Sequence, residues 1–306
     1  RLVMGPWIHG GWGGRGDGSY LGNVRFGSKT AEYYQKNIEI PFFNFYLKLK
    51  GTVRDIAEAS IFFTGENEWK NLKTWPPAGV ESKNLFTTAN GGLSFESKTT
   101  AGNTFSEYIS DPAHPVPYTE DVHMGRTREY MTDDQRFASR RPDVLTFSTD
   151  VLTEDLTLAG PLVADLMVSL STTDADFVVK LIDVFPDDFK YNENESGKGN
   201  GETYPMGGYQ MLVRGEIMRG KFRNSFEKPE AFVPNKITEV KYTLPDVAHT
   251  FKKGHKLMIQ IQSSWFPLSD RNPQKFVDIY HCDDSDFQKA TIKIYHNSNI
   301  ILPVLR

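Results

Sequence analysis

Residues 162–170 read LVADLMVSL, with Leu162, Ala164, Leu166, Val168 and Leu170 apolar at every second position. Successive side chains of a strand point to opposite faces, so this spacing predicts a half-buried β-strand. The same texture returns from Phe177 to Phe185, at Leu257, Ile259 and Ile261, and at Ile292 and Ile294, between clusters of Gly, Pro, Asn and Asp. Short alternating runs with frequent turns predict an antiparallel β-sandwich from about residue 56 onward. The polar stretch from Asn192 to Gly201, NENESGKGNG, reads as a loop between strands.

The N-terminal part has a different texture. Leu2 to Met4 read as the end of a buried strand stopped by Gly5-Pro6, and residues 10–18 form a glycine-rich loop. Ser28 is placed to cap a helix. Ala31, Tyr34, Ile38, Phe42, Phe45, Tyr46 and Leu49 follow at helical spacing, and Gly51 closes the segment. Pro41 lies inside that pattern and predicts a kink or a split. The organisation expected is therefore 1–52 as one unit and 53–306 as a large β domain. Because the chain opens inside a strand, without an initiator Met or a signal peptide, it reads as a truncated or cleaved product. Leu2, Val3, Phe42, Phe45, Tyr46 and Leu49 then predict an adhesive apolar patch, with self-association or a rearranged N-terminus as the consequence.

At 306 residues, 39% apolar and 24% charged, the chain can bury real cores. A net charge of −4 argues against a nucleic-acid partner, and no apolar run has the length of a membrane span. The single cysteine, Cys282, removes an internal disulfide and a Cys-rich metal site from consideration. His114, His123, His249, His255, His281 and His296 show no metal-ligand spacing and read as surface or structural. Asp174 and Asp176 read as a solvated turn between two strands, and Asp283, Asp284 and Asp286, which lack the glycine and distal Glu of a calcium loop, as another solvated turn.

His9 stands out by position: a histidine just past a strand end, on a glycine-rich loop. In the chain order Ser…Asp/Glu…His of α/β-hydrolases, the general base occupies that place after the last strands. Position alone does not identify a triad, and a structural or merely exposed histidine fits the same residues. Gly18-Ser19-Tyr20-Leu21-Gly22 echoes the nucleophile elbow G-x-S-x-G, but Asp17 and Leu21 put its glycines out of register. No strand leads into it, so Ser19 is not read as a nucleophile. Trp7 and Trp12 flank His9 and are candidates to wall a substrate site, with Trp7 equally a candidate for the core. Trp265, in Trp265-Phe266-Pro267, is a candidate pocket wall or an aromatic corner of the sandwich, and Arg271 and Asn272 read as turn and inter-strand hydrogen-bonding residues.

The string Leu2-Val3-Met4-Gly5-Pro6-Trp7-Ile8-His9 resembles the catalytic-histidine segment of the CocE/NonD family, the cocaine esterase and X-prolyl dipeptidyl-peptidase serine hydrolases. Within that family the chain is most similar to the α-amino acid ester hydrolases and glutaryl-7-aminocephalosporanic acid acylases. The resemblance continues through Thr64-Gly65-Glu66-Asn67-Glu68-Trp69, Trp75-Pro76, Asp111-Pro112, Asp134-Gln135-Arg136-Phe137 and Arg141-Pro142-Asp143. It ends with Gly207-Gly208-Tyr209, Ser263-Ser264-Trp265-Phe266-Pro267-Leu268 and Asp270-Arg271-Asn272-Pro273.

The resemblance implies a mainly β chain: a C-terminal jelly-roll β-sandwich of galactose-binding-like type, preceded by the last strand and helix of an α/β-hydrolase domain. It implies His9 as the triad base, with the nucleophile, triad acid, oxyanion hole and acyl-specificity residues upstream. It implies acyl transfer from small-molecule esters or amides, such as α-amino acid esters and β-lactam acyl side chains, without a cofactor. The partner would be the upstream catalytic domain of the same protein, with a homo-oligomer also open, and the protein would be exported. X-prolyl dipeptidyl-peptidase and simple carboxylesterase activities remain open, as does a non-catalytic carbohydrate-binding module. The chain alone is expected to be inactive.

Overall fold

The computed structural model describes residues 1–14, 16–97, 104–192 and 204–306. Of the polar stretch at 192–201, all but Asn192 lies outside the described residues.

The first strand, β1 (Leu2–Met4), runs parallel to β4 (Ala59–Phe63), which pairs antiparallel with β5 (Glu68–Leu72). This sheet crosses the 52/53 division: its two longer strands come after it in sequence. Between β1 and β4 lie a small hairpin of β2 (Tyr20–Leu21) and β3 (Val24–Arg25), then α1 (Thr30–Tyr34) and α2 (Ile40–Lys48). Gln35–Glu39 joins the two helices as a single π-helical stretch. Pro41 explains it: proline has no N–H to give the carbonyl four residues back, and its ring crowds that carbonyl. A wider turn just before the proline absorbs both problems.

Two end assignments differ from the sequence reading. Helix α1 begins at Thr30 with Lys29 as N-cap and no side-chain cap, so Ser28 contributes its carbonyl to Thr30 N instead. At the other end the helix stops two residues before Gly51, at Leu49, which as C-cap is left-handed at φ 53°.

The sandwich follows. Its strands are β6 (Val80–Thr87), β7 (Leu93–Ser94), β8 (Phe105–Ser110), β9 (Leu145–Ser148), β10 (Leu156–Leu170) and β11 (Asp176–Val184). They continue as β12 (Gln210–Arg219), β13 (Thr238–Phe251), β14 (Lys256–Gln262), β15 (Ala290–Tyr295) and β16 (Asn299–Leu305). One sheet is ordered β7-β6-β16-β10-β15-β8, with β13 on the other edge of β10; the second is ordered β12-β11-β14-β9. The alternation read in β10 is the packing observed: Leu162, Ala164, Leu166, Val168 and Leu170 are buried between the sheets, while Val163, Asp165 and Met167 are half-buried. They meet Phe177, Val179 and Leu181 of β11 and Leu257, Ile259 and Ile261 of β14.

Strand β11 is buried on both faces: six of its nine residues are apolar, and the three charged ones, Asp176, Lys180 and Asp183, are buried with them. Val178 and Ile182 form an outer cluster with Tyr118, Leu212, Met258 and Trp265, beneath a cover supplied by residues 111–144 and 263–268. Lys180 lies among them, fully buried, its Nζ donating to Gln135 Oε1 at 2.9 Å and 5.3 Å from the Trp265 ring. The covering segment is pinned at Asp134. That carboxylate accepts from Arg136 N and Nε (3.1 and 2.6 Å), Tyr204 OH (2.8 Å) and Gln210 N (3.2 Å).

Candidate active-site loop

The peptide leaving β1 turns at Gly5-Pro6 and folds over its own side chain, Trp7. The indole N–H of Trp7 donates to Thr30 Oγ1 (2.7 Å), and that hydroxyl donates to Gly18 O (2.6 Å). Around the indole stand Tyr34 and Trp69, with ring centroids at 5.3 and 5.6 Å, and Trp12 at 6.2 Å. A Cβ on Gly5 would overlap the Trp7 ring, and one on Gly18, at φ +73°, would overlap Thr30 and the indole nitrogen. These two glycines let the loop close on its tryptophan. Trp7 is therefore the pillar of the loop, with its polar atom committed to Thr30.

His9 emerges from this base. Gly11 N bonds to Ile8 O and Gly13 N to Gly10 O (2.9 and 3.0 Å), giving tight turns on either side of it. The imidazole is exposed, edge-on to Trp12 at 6.1 Å, and has no hydrogen bond among the described residues. Neither ring nitrogen is committed to a neighbour among the described residues, so the unprotonated one can accept a proton. Trp12 is partly exposed beside it, and its carbonyl is tied to Gln35 Nε2 at 2.6 Å.

Beneath the loop lies a cavity of about 250 Å³, lined on one side by Pro6, Trp7, Ile8 and Gly18 and on the other by Arg128 and Glu129 of the covering segment. The β domain thus reaches the His9 loop directly. Thr132 Oγ1 donates to Leu21 O (3.1 Å), Tyr209 OH donates to Thr132 O (2.8 Å), and Glu129 is packed so closely on Gly22 that a Cβ there would lie 2.9 Å from its own.

Ser19 is buried, and its hydroxyl donates to Asp17 Oδ1 at 2.6 Å, a bond that holds the Asp17 carboxyl below its ordinary range. This is a local turn, with no histidine hydrogen-bonded to the serine among the described residues. Trp265 is buried against Val178, Ile182 and Gly215 and lines neither side of the cavity beneath His9. Asp174 and Asp176 are buried rather than solvated. Asn272 Nδ2 bridges both (3.2 and 2.7 Å), and Arg219 donates twice to Asp176 (3.1 Å each). Burial and the neighbouring Asp176 charge push Asp174 up to about 6. No group of three or more metal-ligating side chains is present among the described residues.

A second buried network was not legible in sequence. Asp183 lies between His255 Nδ1 (2.8 Å) and His249 Nε2 (3.3 Å), while His249 Nδ1 lies 2.8 Å from Thr64 Oγ1. Burial pushes Asp183 up, but the two histidine hydrogen bonds prevail and hold its carboxyl below the ordinary range. Thr64 N bonds to Ala248 O and Thr250 N to Thr64 O (3.1 and 2.8 Å), so this network fastens the β4–β5 turn to the sandwich. The Thr64-Gly65 pair was the only sequence signal: a Cβ at Gly65 would overlap Thr250 O.

Against known proteins, residues 50–299 match the model of the X-Pro dipeptidyl-peptidase C-terminal non-catalytic domain. The cocaine esterase of Rhodococcus sp. (strain MB1 Bresler) is 28% identical over 320 residues, covering 100% of this chain and 51% of that protein. An α-amino acid ester hydrolase structure superposes with a TM-score of 0.90 at 40% identity, over 99% of this chain and 50% of that one. An aminopeptidase from a marine sediment Thaumarchaeota archaeon superposes with a TM-score of 0.89 at 38% identity, over 99% and 49%. The chain therefore spans about half the length of the proteins it matches.

Proposed function

From the premise that this chain belongs to the X-Pro dipeptidyl-peptidase C-terminal domain family, whose relatives here are hydrolases, we propose that it is the C-terminal half of a serine hydrolase and supplies the triad base, His9. The carrying observation is the exposed imidazole, without a hydrogen bond among the described residues, on a loop braced from below by Trp7 and from the side by residues 128–132. In this reading an upstream serine attacks an ester or amide carbonyl, and His9 takes its proton. The imidazolium returns that proton to the leaving alcohol or amine. Water, or an amine acceptor such as a β-lactam nucleus, then attacks the acyl-enzyme, with His9 again as base. The β domain acts as the brace that fixes the histidine's position. α-Amino acid esters are the favoured substrate class, supported by the likeness to the ester hydrolase; the aminopeptidase likeness favours peptide amides as the second.

The test is hydrolysis of p-nitrophenyl acetate and a phenylglycine ester by the full-length protein, with and without His9→Ala. The expected loss in kcat is about 10⁴-fold or more, with no turnover by residues 1–306 alone. Activity indifferent to His9, or hydrolysis by the isolated chain that depends on Ser19, would overturn the proposal.

A further inference from the structure

A second cavity, of about 230 Å³, lies away from the His9 imidazole, where the N-terminal sheet meets the open edge of the sandwich. Its walls are mostly apolar, with Met4, Phe26, Phe62, Met211 and Val247 among them, and it contains one cation, Arg214, and one anion, Asp246.

Both charges are delivered by irregularities in the strands. In β12, Leu212 pairs with Ile182 and Arg214 with Leu181, so Val213 is an extra residue. Strict alternation would put Arg214 on the face of Leu212, in the outer cluster; the bulge puts it opposite Leu181, a residue of the inner core. In β13, Leu244 pairs with Leu162 and Val247 with Gly160, leaving Pro245 and Asp246 opposite Pro161 alone. Strict alternation would drive Asp246 into the core beside Leu244, and this bulge turns it to the cavity instead. Bulges re-aim side chains and gather near functional sites.

The two charges are also underused. Arg214 makes no hydrogen bond or ion pair among the described residues, and its Nε is shielded from solvent without a partner. Burial lowers its pKa against the pull of Asp246, Tyr130 and Glu216. Glu216 is turned to its own neighbour, accepting from Ile217 N at 2.8 Å. Asp246 Oδ2 accepts from the Trp75 indole at 2.5 Å, and no other hydrogen bond to this carboxylate occurs among the described residues. A guanidinium presents a planar fork of donors and matches a carboxylate bidentately, so leaving it half-buried and unpaired is costly unless a ligand completes it.

We propose that this cavity binds a small zwitterion with an apolar body, a free α-amino acid: its carboxylate on Arg214, its ammonium on Asp246, its side chain against Phe26, Phe62 and Met211. The volume falls below the roughly 300–1,000 Å³ of pockets for drug-sized ligands, which limits the occupant to a molecule of this size.

The test is calorimetric titration of this chain with L-phenylalanine, with phenylacetate lacking the amine, and with phenethylamine lacking the carboxylate. Saturable binding of L-phenylalanine is expected, at least tenfold weaker for each truncated probe, for Asp246→Asn and for Arg214→Lys, which keeps the charge but loses the fork. Arg214→Met should abolish the response while melting no lower than the wild type without ligand. Absence of saturable binding, phenylacetate binding as tightly as L-phenylalanine, or affinity unchanged in Arg214→Lys or Asp246→Asn would each overturn the assignment, whether or not Arg214→Met folds.

Discussion

In the sandwich, Leu166, Phe177, Leu181 and Ile259 are sealed from solvent between two sheets. In α2 no residue is buried: Tyr46 and Leu47, with Leu49 at the C-terminal cap, stand 48%, 74% and 87% exposed. Both regions are rich in apolar residues, so composition does not separate them. Partners do. Strands β10 and β11 each find neighbours on both edges and cover on the core face, whereas β1 pairs on one edge only among the described residues. The sandwich is a completed core. The N-terminal region has its local geometry in place, with a braced histidine loop, a parallel strand pair and a helix, but much of its apolar surface is uncovered.

The largest test of this contrast is a pair of truncations. Phe177→Ala removes a fully buried ring between the sheets and should cost about 3–5 kcal/mol. Leu47→Ala removes a larger exposed surface than it unpacks and should stay within about 0.5 kcal/mol. Urea unfolding followed by far-ultraviolet circular dichroism measures both. Comparable costs would mean that α2 is covered in solution, and the contrast would fail.

A second test sharpens what completion costs the sandwich. Sealing both faces of β11 traps Lys180 with one hydrogen bond, and burial lowers it from its ordinary 10.5 to about 7. Below about pH 7 the folded and unfolded chains both carry the proton, and the folded state bears the full cost of a buried charge. Between about 7 and 10.5 the unfolded chain holds more protons, so stability rises with pH across that window. Asp133, raised to about 6 by burial and by the charges of Asp134, Glu120 and Glu129, titrates below it. The expectation is an unfolding free energy that climbs from pH 7 to 9 in the wild type, by an amount on the order of 1 kcal/mol or more. In Lys180→Met the curve should be flatter. Parallel curves would show that Lys180 keeps a normal proton affinity and that the outer face admits water.

The same contrast explains what could be read from sequence. The core of β10 was legible because alternation is a local property, set by one strand with one face in the core. The roles of Lys180, Asp174 and Asp176 were not, because their burial is imposed by residues 111–144 and by Asn272, far away in the chain. Arg214 and Asp246 were hidden for another reason. One extra residue in a strand reverses the face of everything beyond it, and no residue type announces a bulge at Val213. The proposed role of His9 rests, in sequence, on ordered motifs along the chain, since a single histidine after a strand carries little information. The helix pattern was legible, yet its ends were not. Ser28 lost the cap to Lys29, and the π-helical stretch arose from Pro41 acting on the turn before it.

The smallest expected effect lies at that helix end. Leu49 holds φ 53°, where a Cβ costs about 1 kcal/mol that glycine does not pay. Its side chain recovers nothing, being 87% exposed. Leu49→Gly should therefore stabilise the C-terminal turn of α2 by up to about 1 kcal/mol while deleting part of the apolar patch. Hydrogen exchange at Leu49 and Lys50, which bond back to Phe45 and Asn44, would register the first change. Light scattering across a concentration series would register the second, as weaker self-association than in the wild type. If Leu49→Gly instead loosens the turn, the leucine is buried against something in solution, and a second copy of the chain becomes the natural candidate. That outcome would also place α2 with the sandwich, among the surfaces that find a partner.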